Sequence, residues 1–427
     1  MDKRLLRNIT ALSLPAIITN ITTPLLALTD TAIAGHMGGA VFIAAIAVGG
    51  TMFNMLYWLC GFLRMGSSGL TAQALGAGDM RGTHIILTRA LALAALTGLL
   101  MIALRHPIAE GLLTIIDTDS ATHGQAIQYF MICIWGAPAT LGMFALTGWC
   151  IGMQNSRLPM WTSLLIDVLN IALSLTLVLA LRLKIEGIAI GTLTAQWAGF
   201  IVCLTLSIRC YGWQWICLKE LIKGIGRFFR INTDIFLRTL CLVAVTMWFT
   251  RTGAIQGALM LAVNALLMQL FTLFSFFMDG LAFAGEALCG RYLGAGDTDR
   301  LRKSTHAILS IGGVLAIIFT LLYIAGGQQL IAWLCDDHEV VVAAGEYFAW
   351  AVSIPLVAFT AFMWDGIFIG ITRTRAMLAS MASATAVYFA CYFIAFPSMG
   401  NHGLWIAFLA YLFTRGVVLT MLGRKYL

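Results

Sequence analysis

Long apolar stretches separated by short polar clusters dominate the chain. Stretches of bilayer-spanning length, about 20 residues, recur near 10–34, 40–72, 85–103, 125–153, 160–181, 187–208, 232–252, 255–289, 304–325, 340–370, 376–397 and 402–421. This pattern predicts an all-α integral membrane protein with twelve transmembrane helices. The longest polar connection, at 209–234, carries Arg209, Lys219, Glu220, Lys223, Arg227 and Arg230. It divides the chain into an N-terminal six-helix lobe, 1–215, and a C-terminal six-helix lobe, 216–427.

The two lobes are copies of one unit. Residues 35–79 align with 253–297 without a gap at an offset of 218, with 13 of 45 positions identical, including Leu75-Gly-Ala-Gly-Asp79 against Leu293-Gly-Ala-Gly-Asp297. The same offset carries Gly148, Gly152 and Arg157 onto Gly366, Gly370 and Arg375. Six helices per repeat is an even number, so the repeats share one orientation, an arrangement found among secondary transporters. Both GxxxG pairs, Gly148/Gly152 and Gly366/Gly370, predict close helix packing.

Composition removes most alternatives. Of 427 residues, 60% are hydrophobic and only 11% charged, against roughly 25% charged in a soluble protein. The net charge of +7 is spread over several loops and both termini rather than one aromatic-laced face, so no nucleic-acid partner is expected. Most Lys and Arg fall on one side of the predicted bilayer, and Asp336 and Asp337 on the other. The positive-inside rule then predicts cytoplasmic N- and C-termini and a multi-pass protein of the inner (cytoplasmic) membrane. The scattered cysteines form no CxxC or Cys/His cluster, so neither metal nor cofactor is expected. HExxH, GxSxG and Walker A strings are absent, which argues against an integral-membrane transferase and against ATP-driven transport.

Carboxylates at bilayer depth cost about 2.5–3.5 kcal/mol each on insertion scales, so the few present are informative. Asp30 lies in the outer half of the first segment. Asp167, Asn170 and Ser174 share one face of the fifth, and Thr192 opens the sixth. A carboxylate ringed by amide and hydroxyl oxygens can hold Na⁺ or trap a proton. Asp167 is placed nearer the interface, where a structural role is the simpler reading. Asp279, Glu286 and Asp365 belong to the second lobe only, since their repeat mates are Gly61, Ser68 and Thr147. They suggest attraction of a cationic substrate or a second proton site; the plainer reading is pairing with Arg64, the one deep cation by position, or with loop arginines. Glu286 is expected nearest the interface. Pro15 and Pro24 interrupt the first segment.

Several strings resemble the multidrug and toxic compound extrusion (MATE) family, in particular its DinF (DNA-damage-inducible protein F) branch. They are Asn20–His36, Leu63–Gly78, Met278–Glu286, Trp364–Arg373 and Gly400–Trp405. The resemblance implies two lobes around a V-shaped cavity, acting as a monomer that exports cationic or amphipathic small molecules in exchange for H⁺ or Na⁺. It makes Asp30 the first-helix acid whose protonation bends that helix near Pro15, with Asn170 and Thr192 as its polar partners. Ser174 departs from relatives that carry a second Asp there. Losing that carboxylate weakens a Na⁺ site, so H⁺ is the expected coupling ion and Na⁺ the alternative. Asp365 resembles the tenth-helix acid of another branch. Lipid-linked precursor flippases share the superfamily, but their arginine-rich cavities have no match if Arg64 stands nearly alone.

Overall fold

The computed structural model describes residues 3–35, 40–116 and 120–426. Among them the chain is helical and contains no β-strand. The first repeat comprises α1 (Lys3–Gly35), α2 (Ala40–Leu59), α3 (Phe62–Gly76), α4 (Met80–Ala103), α5 (Arg105–Ile116), α6 (Ser120–Cys133), α7 (Ala137–Gly152), α8 (Arg157–Leu175) and α9 (Ile185–Tyr211). A short α10 (Leu218–Ile222) lies in the connection. The second repeat is α11 (Ile225–Ile255), α12 (Ala258–Gly294), α13 (Thr298–Leu334), α14 (His338–Gly370), α15 (Thr374–Met399) and α16 (Asn401–Tyr426). Eleven helical stretches are long and apolar enough to cross a membrane; α2 with α3, and α6 with α7, each make one. With the 33-residue α1 they account for the expected twelve.

Packing groups the chain into two compact units, 18–228 and 1–17 with 229–427. The opening turns of α1 therefore pack with the second repeat. Ile17 sits so close to Gly280 of α12 that a Cβ on the glycine would lie 2.9 Å from the Ile17 backbone nitrogen. The helix is unbroken through Pro15 and Pro24.

The glycine pairs and the repeated Leu-Gly-Ala-Gly-Asp string have structural explanations. A Cβ on Gly148 of α7 would strike the Arg64 carbonyl of α3, and one on Gly366 of α14 would strike the Ala282 carbonyl of α12. One turn further, Gly152 lies against the Ser68 carbonyl and Gly370 against the Glu286 carbonyl, where an added Cβ would come to 2.7 and 2.6 Å. Both lobes thus use small residues to bring backbones together at the same register. In the turns, Gly78 (φ 75°) and Gly296 (φ 71°) take the left-handed conformation that ends a helix. The following Asp79 and Asp297 cap the next helix by accepting from the Gly82 and Arg300 amides at 2.7 and 2.9 Å.

Candidate functional site

In unit 18–228, α8 and α9 bring three of the expected residues into one network. Ser174 Oγ donates to Asn170 Oδ1 at 2.9 Å, and Asn170 Nδ2 donates to Thr192 Oγ1 at 3.2 Å. Thr192 in turn donates to the Ile188 carbonyl at 3.0 Å. Spacings of three and four residues place these groups on one helical face, and Gly191 gives the room. A Cβ there would lie 2.6 Å from Ser174 Oγ.

Asp30 joins this neighbourhood from α1. It is 7% exposed, and its Oδ1 has no hydrogen-bond partner among the described residues. Among those residues no basic side chain lies within ion-pair distance of it. It acts electrostatically on Tyr129 and Cys133 of α6, and the Tyr129 hydroxyl lies near Thr192. Tyr129 and Cys133 were not anticipated from sequence. They sit among apolar neighbours, and Tyr129 packs its ring on Gly49, so a core role explains them equally well on pattern alone. Asp167, one turn before Asn170 on α8, is half-buried with Thr22 of α1 nearby, and its Oδ2 has no partner among the described residues.

The second-lobe acids have different surroundings. Asp365 of α14, 7% exposed, accepts through Oδ2 from both Arg238 of α11 and Arg415 of α16. Both arginines are buried about midway along their helices, which corrects the expectation that Arg64 is the one deep cation. Asp279 and Glu286 of α12 act electrostatically on Arg238. Glu286 is 1% exposed, so it lies in the packed interior of its unit, and Gly370 of α14 packs against its backbone carbonyl. Arg238, Arg415 and Asp365 therefore form one buried ion cluster, with the half-buried Asp279 and the buried Glu286 near enough to act on Arg238. The Gly400–Trp405 string is a packing device. Asn264 and Asn401 exchange hydrogen bonds at 2.8 and 2.9 Å, and Trp405 Nε1 donates to Asn264 Oδ1 at 2.9 Å.

A duplicated helical bundle that spans the bilayer twelve times and keeps a carboxyl group at depth has the form of a secondary transporter. The chain belongs to the MatE family, whose pattern matches residues 15–176 and 234–393, one stretch in each repeat. It is 36% identical over 419 residues to DNA damage-inducible protein F of Escherichia coli, covering 97% of this chain and 91% of that one. A probable multidrug resistance protein NorM of Bradyrhizobium diazoefficiens is 24% identical, with 93% and 88% covered. Among solved structures, an outward-facing multidrug resistance transporter of the MATE family superposes with a TM-score of 0.87 at 19% identity, covering 98% and 95%. The chain is thus a multi-pass membrane transporter of an efflux family, and not an enzyme.

Proposed function

We propose that this transporter exports cationic or amphipathic small molecules in exchange for H⁺, with Asp30 as the group that carries the proton. The observation behind the reading is the environment of Asp30. A buried carboxyl that, among the described residues, has one oxygen without a partner and no cation beside it gains by taking up a proton in one state and releasing it where water enters. Tyr129, on which Asp30 acts electrostatically, and the bonded set of Asn170, Ser174 and Thr192 supply the polar surroundings for that exchange.

Protonation from outside neutralises Asp30 and lets α1 change shape near Pro15, which releases the exported compound. Loss of the proton to the cytoplasm resets the site. H⁺ is favoured over Na⁺ because the position of Ser174 contributes a hydroxyl in place of a second carboxylate, and Na⁺ prefers charged oxygen ligands. The flippase alternative gains little from Arg238 and Arg415, because each guanidinium group already bonds Asp365. We further propose that the protein works as a monomer in the inner membrane with cytoplasmic termini. A C-terminal green fluorescent protein fusion should fluoresce, whereas a C-terminal alkaline phosphatase fusion should be inactive; the reverse pair would invert the topology.

The deciding measurement is efflux of a cationic dye from proteoliposomes driven by a pH gradient. Asp30→Asn should slow it by about tenfold or more, because the intramembrane carboxyl is the proton carrier. Wild-type rates in that variant would remove Asp30 from the role. Efflux that follows a Na⁺ gradient at constant pH would replace the ion.

A further inference from the structure

At the end of the second lobe where α1 begins and α12 turns into α13, a cavity of about 640 Å³ opens among basic side chains. Arg4 reaches it from α1, Arg291 from the last turn of α12, and Arg300, Lys303 and His306 from the first turns of α13. All five are exposed. The wall also contains Ser304, which is 1% exposed and whose Oγ has no hydrogen-bond partner among the described residues. Arg300 keeps an exposed contact with Asp297 at 3.3 Å. Such a contact is weak and can be shared with a stronger anion.

The duplication supplies an internal control. At the offset of 218, Arg291, Arg300, Lys303 and His306 correspond to Gln73, Gly82, Ile85 and Thr88, so the bundle does not need cations at these positions. The first lobe does place two arginines at its own corner, and both hold the inter-repeat connection. Arg81 Nε bonds Glu220 Oε1 at 2.8 Å, and Arg89 donates to the Leu221 and Glu220 carbonyls at 2.9 and 3.1 Å and to that of Lys223. Oxygen atoms of the chain itself fill that corner. Ala307, the repeat mate of Arg89, instead lines the second-lobe cavity. Among the described residues, the printed ion pair at this corner is the exposed one between Arg300 and Asp297, which leaves room for an oxygen-rich, negatively charged occupant from outside the chain.

We propose that this cavity binds a phosphate-bearing anion, which at the edge of a membrane helix bundle is the headgroup of an anionic phospholipid. The permanent cations match phosphate oxygens through charge-assisted hydrogen bonds, and basic pockets between transmembrane helices bind such headgroups. The unsatisfied Ser304 hydroxyl adds a neutral donor in the wall.

The test uses the purified full-length protein in a neutral detergent, titrated with phosphatidylglycerol, with phosphatidylcholine, or with inorganic phosphate. Bound lipid is counted by native mass spectrometry, and the thermal midpoint is followed in parallel. Phosphatidylglycerol should bind in preference to phosphatidylcholine. The double variant Arg300→Gln, Lys303→Gln should weaken that binding about 25-fold, at roughly fivefold per cation. Arg81→Gln, in the first lobe, should leave it unchanged. Inorganic phosphate that displaces the lipid supports the same site; stabilisation by phosphate without lipid retention supports it with a soluble ligand. Equal retention of both lipids with no response to phosphate would overturn the proposal, as would unchanged binding in the double variant. Because the two substituted residues are exposed, an unaltered midpoint in phosphatidylcholine will confirm that the variant is folded.

Discussion

The two repeats keep one backbone and carry opposite chemistry at matching positions. At the offset of 218, Asp30 corresponds to Trp248, Asn170 to Tyr388 and Ser174 to Tyr392. In the second lobe these residues form an aromatic stack, with Trp248 5.9 Å from Tyr392 and Tyr388 6.4 Å from Tyr392 between ring centroids. Conversely, Arg238 and Asp365 occupy positions held by Asn20 and Thr147 in the first lobe. Backbone contacts were retained through the duplication, since Gly148 on Arg64 and Gly366 on Ala282 repeat one another. The polar groups were not. One lobe has a buried acid with no basic partner among the described residues, which fits the proposed proton carrier; the other has an acid fixed between two guanidinium groups, suited to staying ionised.

The sharpest way to break this contrast is to make one substitution in both lobes. Asp365→Asn leaves Arg238 and Arg415 without their shared carboxylate and should cost about 3–5 kcal/mol, the usual penalty for orphaning a buried charge. Asp279 and Glu286 can return part of it by turning toward Arg238. Asp30→Asn removes a carboxyl that has no basic partner among the described residues, and should leave stability equal or higher while proton-driven transport is slowed. Thermal midpoints in detergent, read beside dye efflux, separate the two effects. Replacing Arg238, Asp365 and Arg415 together with Met, Leu and Met should restore much of the loss, because apolar groups of similar volume can replace a buried ion cluster. If Asp30→Asn proves as destabilising as Asp365→Asn, the contrast fails.

The sequence made the shared scaffold legible and the differences between lobes only partly so. Twelve apolar segments, the 218-residue offset and the glycine contacts follow from periodicity and from strings too long to recur by chance. The network of Asn170, Ser174 and Thr192 was visible because helical spacing puts two of them on one face and a short connection brings the third alongside. Arg238 and Arg415 were counted with the interfacial basic residues, although each lies between three and a half and four helical turns inside its helix. Depth counted along the chain gave no sign that both reach the same Asp365. Tyr129 was missed for another reason: its ring satisfies an apolar pattern while its hydroxyl serves the polar site, so hydropathy registers only the ring.

A smaller effect tests the retained scaffold. Gly148→Ala and Gly366→Ala each press a methyl group onto a backbone carbonyl of the facing helix, and overpacking of this kind costs about 1–3 kcal/mol. The two variants should lower the thermal midpoint by similar amounts if the repeats share this contact. A neutral result at one glycine would show that its lobe can open where the other cannot.

The smallest expected effect concerns the connection between the repeats, which the first lobe holds and the second lobe has no counterpart for at its own corner. The Arg81 guanidinium, and behind it the thiol and amide of Cys217, hold the Glu220 carboxyl down at about 2 from an ordinary value of 4.5. A carboxyl depressed in the folded state contributes its full stabilisation above its unfolded value and loses it as pH falls through the folded one. Docking of residues 217–223 should therefore be constant from pH 8 to 5 and weaken progressively below about 4.5, which amide exchange of that segment can follow. Glu220→Gln should exchange faster at neutral pH and show no further loss on acidification. The Arg89 bonds go to peptide carbonyls and do not titrate, so part of the protection should persist in acid. Protection that vanishes entirely with Glu220→Gln would mean that the charge pair, and not the carbonyl contacts, keeps the connection on the first lobe.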